Sequence, residues 1–208
     1  MPTELERDST SSPRLAQSLG RRGFVGGALV GLASCDAPRG ATSGSRDADR
    51  NPRLFTFVGG DAGAWSVVEA RAVVGPPLAP VKRLDIIAGA PAADAPGAAW
   101  SLRGVTSNER YTVRAEKTLL AAKQAALGRP EATHAALIPI RKNAAWWALT
   151  QDERRAIFED RSNHVKVGLK YLPAVARRLH HCRDLGAAEP FDFVTLFDYT
   201  KADTALFE

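Results

Sequence analysis

The stretch RSNHVKVGLKYLPAVARRLHHC, from Arg161 to Cys182, holds the side chains best suited to chemistry. On a helix His164 shares a face with Arg161 and Gly168, which lie one turn to either side of it. A glycine at that position leaves an open floor where something flat could approach. Pro173 lacks an N–H and its ring clashes with the preceding turn, so it stops the helix. Arg177, thirteen residues beyond His164, therefore belongs to the next element and is free to point elsewhere. Imidazole is a common axial ligand of a macrocycle-bound metal, and a permanently charged guanidinium holds oxyanions well. Two readings stand at this point. One is an ordinary solvated helix running into a strand; the other is a flat cofactor with His164 on one side and Arg177 on the other. His180-His181-Cys182 is a competing metal cluster, disfavoured because neighbours on a strand face opposite ways.

The elements that must carry these residues are legible from composition and period. RLFTFVGG, WSVVEARAVV, VKRLDIIAGA and WSLRGVTSN have strand character with Gly/Pro breaks between them. ERYTVRAEKTLLAAKQAAL predicts an amphipathic helix with Tyr111, Ala115, Leu119 and Ala122 on one stripe, ended by GRP. HAALIPIRK is again a strand. TQDERRAIFEDRSNHVKVGLKYL predicts a second helix, opened by Thr150 with Glu153 three residues on as a capping box, and with Phe158, Ser162, Val165, Leu169 and Leu172 as its core stripe. AVARRLHHC and DFVTLFDYT close the sequence as strands. Strands with helices packed on one side of an antiparallel sheet predict an α+β fold of the ferredoxin-like sort.

The chain has 208 residues, room for one well-filled domain and a tail. Its 28 Lys+Arg and 23 Asp+Glu are interspersed, giving a net +5 without a one-sided basic face, which argues against a nucleic-acid partner. Two cysteines are too few for a disulfide framework. The N-terminus reads as an address. Arg21-Arg22 precede Gly23 and Phe24, a short apolar, glycine-rich stretch runs from Val25 to Ala33, and LASC ends at Cys35. The stretch is too short to span a bilayer, which takes about 20 apolar residues. It fits a signal peptide with a twin-arginine pair and a lipobox. The expected organisation is a signal at 1–34, a flexible polar linker at 35–50 and a folded domain at 51–208. The expected location is the periplasmic side, with Cys35 lipidated as the sole membrane attachment.

Taken together, WSLRGVTSNERYTVRAEK, ALIPIRKNAAWWAL and HVKVGLKYLPAVARRLHHCRDLG closely resemble the chlorite dismutase family, in its shorter, dimeric branch, from about Arg53 onward. The resemblance implies two ferredoxin-like halves forming a dimeric α/β barrel type of fold, with haem b held in the second half. It makes His164 the axial iron ligand and Arg177 the distal arginine. It sets Asn108, Tyr111, Lys142 and Trp146 at the haem propionates and pocket wall, while Trp147 suits core packing. The implied reaction converts chlorite to chloride and O2, with Arg177 holding the oxyanion; the implied assembly is a homodimer.

Coprohaem decarboxylases of the same superfamily carry a tyrosine where this sequence has Ile138 in IPIRK, and usually a glutamine in place of Arg177. Both positions favour chlorite chemistry. The sequence ends at KADTALFE, and the resemblance implies a further helix and strand carrying a glutamate that partners the axial histidine. Asp198, nearby in sequence, has no match that would give it that role. A non-catalytic haem carrier is the reading of a different class.

Overall fold

The computed structural model describes residues 24–33, 51–90 and 97–207, the first of these for its backbone pairing alone. Eight strands, β1 Phe24–Ala33, β2 Leu54–Gly60, β3 Trp65–Val74, β4 Arg83–Ala88, β5 Ala98–Val105, β6 His134–Lys142, β7 Ala176–His181 and β8 Phe193–Tyr199, close into a barrel in the order β1-β3-β4-β2-β5-β7-β8-β6. Every pairing is antiparallel. The run β3-β4-β2-β5 has the strand order of one ferredoxin-like half. The run β7-β8-β6 supplies three strands of the other, with β1 beside β6. The expected α+β fold with two such halves is what the chain adopts.

Side-chain alternation sorts β6 into two buried faces. Ala135 and Leu137 point inward to Phe57, Leu84, Leu102, Cys182, Val194 and Leu196, the barrel core. Ala136 and Ile138 point outward to Val175, Phe197, Tyr199 and Phe207. A strand covered on both sides has no polar face to show, which is why HAALIPIRK reads as nearly continuous apolar sequence. Full burial of each large apolar side chain here stabilises by about 1.5–3 kcal/mol.

The helices all follow β5: α1 Arg114–Lys123, α2 Ala144–Ala148, α3 Gln151–Glu159, α4 His164–Gly168 and, after a 3-10 turn at Lys201–Asp203, α5 Thr204–Phe207. The capping box at the start of α3 is present, with Thr150 N–H donating to Glu153 Oε2 at 2.7 Å. Two expectations need correction. The helix predicted from Thr150 to Leu172 is broken. Asn163 takes a left-handed conformation (φ 48°), and Ser162 Oγ donates back to the Phe158 carbonyl at 2.6 Å, so α3 ends and α4 restarts at His164. The predicted stripe of α1 is not core either, since no residue of that helix is buried and Leu119 is 51% exposed. Local period reports which face is apolar, not whether a partner covers it.

The stretch Phe24–Ala33, expected as the apolar part of a signal, lies as β1 between β3 and β6. Arg21, Arg22, Cys35 and the 35–50 linker lie outside the described residues.

Candidate functional site on the outer face of the second half

Register places Arg177 opposite Phe197, and Phe197 opposite Ala136, so Arg177 shares the outward face of β6 and Phe197 rather than the barrel interior. Two residues on, Leu179 lines up with Thr195 and Ile138 on that face; it is 44% exposed, an apolar side chain left open beside buried ones. Lys142 ends β6 on the same side, fixed by its own N–H donating to Asp192 Oδ2 at 2.6 Å. The short helices stand over this face.

Phe158 of α3 is the hub of the helical side. Its ring lies 5.4 Å from Trp146, 5.6 Å from Tyr111 and 5.4 Å from His164, centroid to centroid. The Lys142 ammonium sits 4.5 Å over the Trp146 ring and 5.8 Å over Phe158, within cation–π range of both. Arg177 reaches across from β7 to α4: a Cβ built at Gly168 would lie 2.9 Å from Arg177 Nη1. The missing side chain at Gly168 is therefore what lets the guanidinium rest on the helix that carries His164.

Electrostatics follow from that crowding. Burial, then the charges of Arg177 and Lys142, push His164 down from 6.5 to about 4, so its imidazole is neutral at neutral pH with a lone pair to offer. Burial lowers Lys142 to about 8, partly offset by Asp192. Burial also lowers Arg177, which nonetheless stays charged. Among the described residues the Arg177 guanidinium has no carboxylate partner. Asp198 does not serve His164; it accepts from Gly128 N–H at 2.5 Å and from Arg129 at 3.4 Å. Glu159, beside the start of α4, accepts from Val165 N–H at 3.3 Å.

Of the residues singled out in the sequence, His164, Arg177, Lys142, Trp146 and Tyr111 come together through Phe158 and Gly168. Asn108 stands apart on the exposed loop after β5, lining a shallow polar groove with Glu109, Thr112 and Lys117. Trp147 stacks on Phe193 at 5.9 Å and packs as expected. His180 and His181 diverge, the first between Phe55 and Phe57 inside the barrel, the second against Phe193 outside.

Arg154 was missed in the sequence. It is buried; Nε donates to the Trp146 carbonyl at 3.1 Å, Nη2 to the Trp147 carbonyl at 2.8 Å and Nη1 to Tyr111 Oη at 3.2 Å. One side chain thus satisfies the end of α2 and ties Tyr111 to it. The available signal was its position four residues before Phe158, on the same face of α3.

The arrangement suits a flat, largely apolar group with an anionic edge. Trp146 Nε1 is buried without an acceptor beside the Lys142 cation, and a carboxylate arriving there would accept from the indole N–H close to that positive charge. Leu179 offers open apolar area, and Gly168 offers a floor without a Cβ. His164 stands on a helix and the root of Arg177 on the sheet.

A family model described as Chlorite dismutase matches residues 87–202, more than half of the chain. A crystal structure of dimeric chlorite dismutases from Nitrobacter winogradskyi is 54% identical, covering 74% of this chain and 84% of that one, with a TM-score of 0.66. A mutant chlorite dismutase from Candidatus Nitrospira defluvii is 31% identical over 51% of this chain and 42% of that one, with a TM-score of 0.41. The chlorite dismutase of Ideonella dechloratans is 36% identical over 62 residues, 30% of this chain and only 20% of that protein's length. With the family model matching more than half of the chain and a 54% identical solved structure covered over most of its length, the chain belongs to the chlorite dismutase family.

Proposed function

We propose that the chain is a haem b-dependent chlorite dismutase, converting ClO2⁻ to Cl⁻ and O2, and that it works as a homodimer. The observation that carries this reading is that Arg177, a cation without a carboxylate partner among the described residues, rests on Gly168, one turn along α4 from the neutral imidazole of His164. The dimer rests on the relative from Nitrobacter winogradskyi, described as dimeric.

When bound, haem supplies the redox-active iron at which the Cl–O bonds are cleaved and the O–O bond is made. The protein's share is binding and charge. His164 would offer a haem iron its lone pair without first losing a proton, because burial and two nearby cations keep it neutral. Lys142 and the Trp146 N–H would hold propionate carboxylates, and Phe158 with Leu179 would give the macrocycle apolar contact. Arg177 would leave Gly168 to admit the macrocycle and would hold a small oxyanion such as chlorite by its charge. A guanidinium does this without proton transfer, and where burial excludes water its attraction for a small anion exceeds that in bulk water.

Oxygen release from chlorite by the haem-loaded chain tests this. Arg177→Ala should lower it by about 10²–10³-fold, the cost of removing a charge-stabilising donor. Haem binding without any oxygen release would instead favour a carrier.

A further inference from the structure

We propose that Phe24–Ala33 is a working strand of the barrel and is retained in the folded protein, so that the chain is not processed at Cys35. Retention as β1 and removal as a signal are mutually exclusive uses of the same ten residues.

The pairing around β3 carries the argument. Of the ten residues of β3, only Trp65 and Ser66 are in register with β4. From Val67 to Val74 its registered partner is β1, as in Val67↔Leu32, Ala70↔Val30 and Val74↔Gly27. On its other side β1 pairs with β6, as in Val30↔Leu137 and Leu32↔Ala135. Removing β1 would strip six residues of β3 of the only strand partner they have among the described residues, and open the edge of β6. Two long apolar edges would then be exposed, with Val68 already 65% exposed on β3. The segment suits the slot. Its register with β3 shifts between Gly27 and Ala28 and between Gly31 and Leu32, where the extra residue lies on β3, at Val73 and Val68. A strand bonded along both edges cannot also be presented as an extended export signal. The inference is independent of chlorite chemistry, since it is read from amide exchange and cross-linking.

The test is hydrogen exchange on the full chain. Amides of 24–33 and of 67–74 should be protected together, and Val30→Pro should abolish protection in both, because proline removes a donor from a strand paired on both sides. Should that variant unfold entirely, a Val30→Cys/Ala70→Cys pair in a Cys35→Ser background decides. Directly opposed antiparallel residues lie within disulfide reach, so mild oxidation should close an intramolecular bond. Free exchange of 24–33 beside protected 67–74, a cross-link formed only between two copies, or a stable protein whose mass begins at Cys35 would each overturn the proposal.

Discussion

His164 and His180 are pushed to the same value, about 4, by the same leading cause, burial, yet they live in different chemistry. His180 is fully enclosed in the barrel, its ring edge-on to Phe55 and Phe57 at 5.0 Å each, with Nδ1 against the Val194 carbonyl at 3.2 Å. Nothing can approach it. His164 lies at the start of a five-residue helix, above a glycine, with two cations near it and an open apolar residue across the gap. A depressed imidazole is thus no mark of a site by itself. Access, and what stands opposite, separate a ligand from a piece of core.

Three substitutions and a pH titration break or sharpen that contrast. His180 and His164 should share the acid limb of stability about equally. Neutral when folded and ordinary when unfolded, each favours the unfolded state once protons compete. Stability is full above about pH 6.5 and falls as pH drops toward 4, by on the order of 3 kcal/mol for each imidazole, measurable by urea unfolding across that range. His180→Leu should remove about half of this limb. Next, Arg154→Ala leaves the Trp147 carbonyl and Tyr111 Oη without this donor, the Trp146 carbonyl keeping the Leu149 N–H, and should cost about 2–4 kcal/mol while weakening haem retention. Lys142→Met should leave the fold intact and weaken haem binding by about tenfold, one lost charge-assisted contact. In the unmodified protein haem affinity should decline as pH rises through about 8, where Lys142 loses its proton, and the variant should lack that dependence.

Much of the frame was legible in the sequence. The strand of HAALIPIRK, the one of DFVTLFDYT and the Thr150 cap follow from local pattern, and the structure contains them with nearly the expected bounds. Non-local decisions were not legible. Asn163 is a residue type that tolerates the left-handed conformation, but the helical period runs through it unbroken, and the turn it makes sets His164 at a helix start instead of mid-helix. The role of Arg154 depends on a tyrosine 43 residues away and on carbonyls that any sequence supplies. No side chain of α1 is buried among the described residues, although Tyr111 just before it packs on Phe158. Arg177 and His164 were paired by residue type and by family resemblance; what the fold adds is that they meet over Gly168.

The most direct test is a spectroscopic haem titration of the full chain beside His164→Ala and His180→Leu. The account predicts one haem per chain with a histidine-ligated spectrum, lost in His164→Ala and kept in His180→Leu. An unchanged histidine-ligated spectrum in His164→Ala would contradict it.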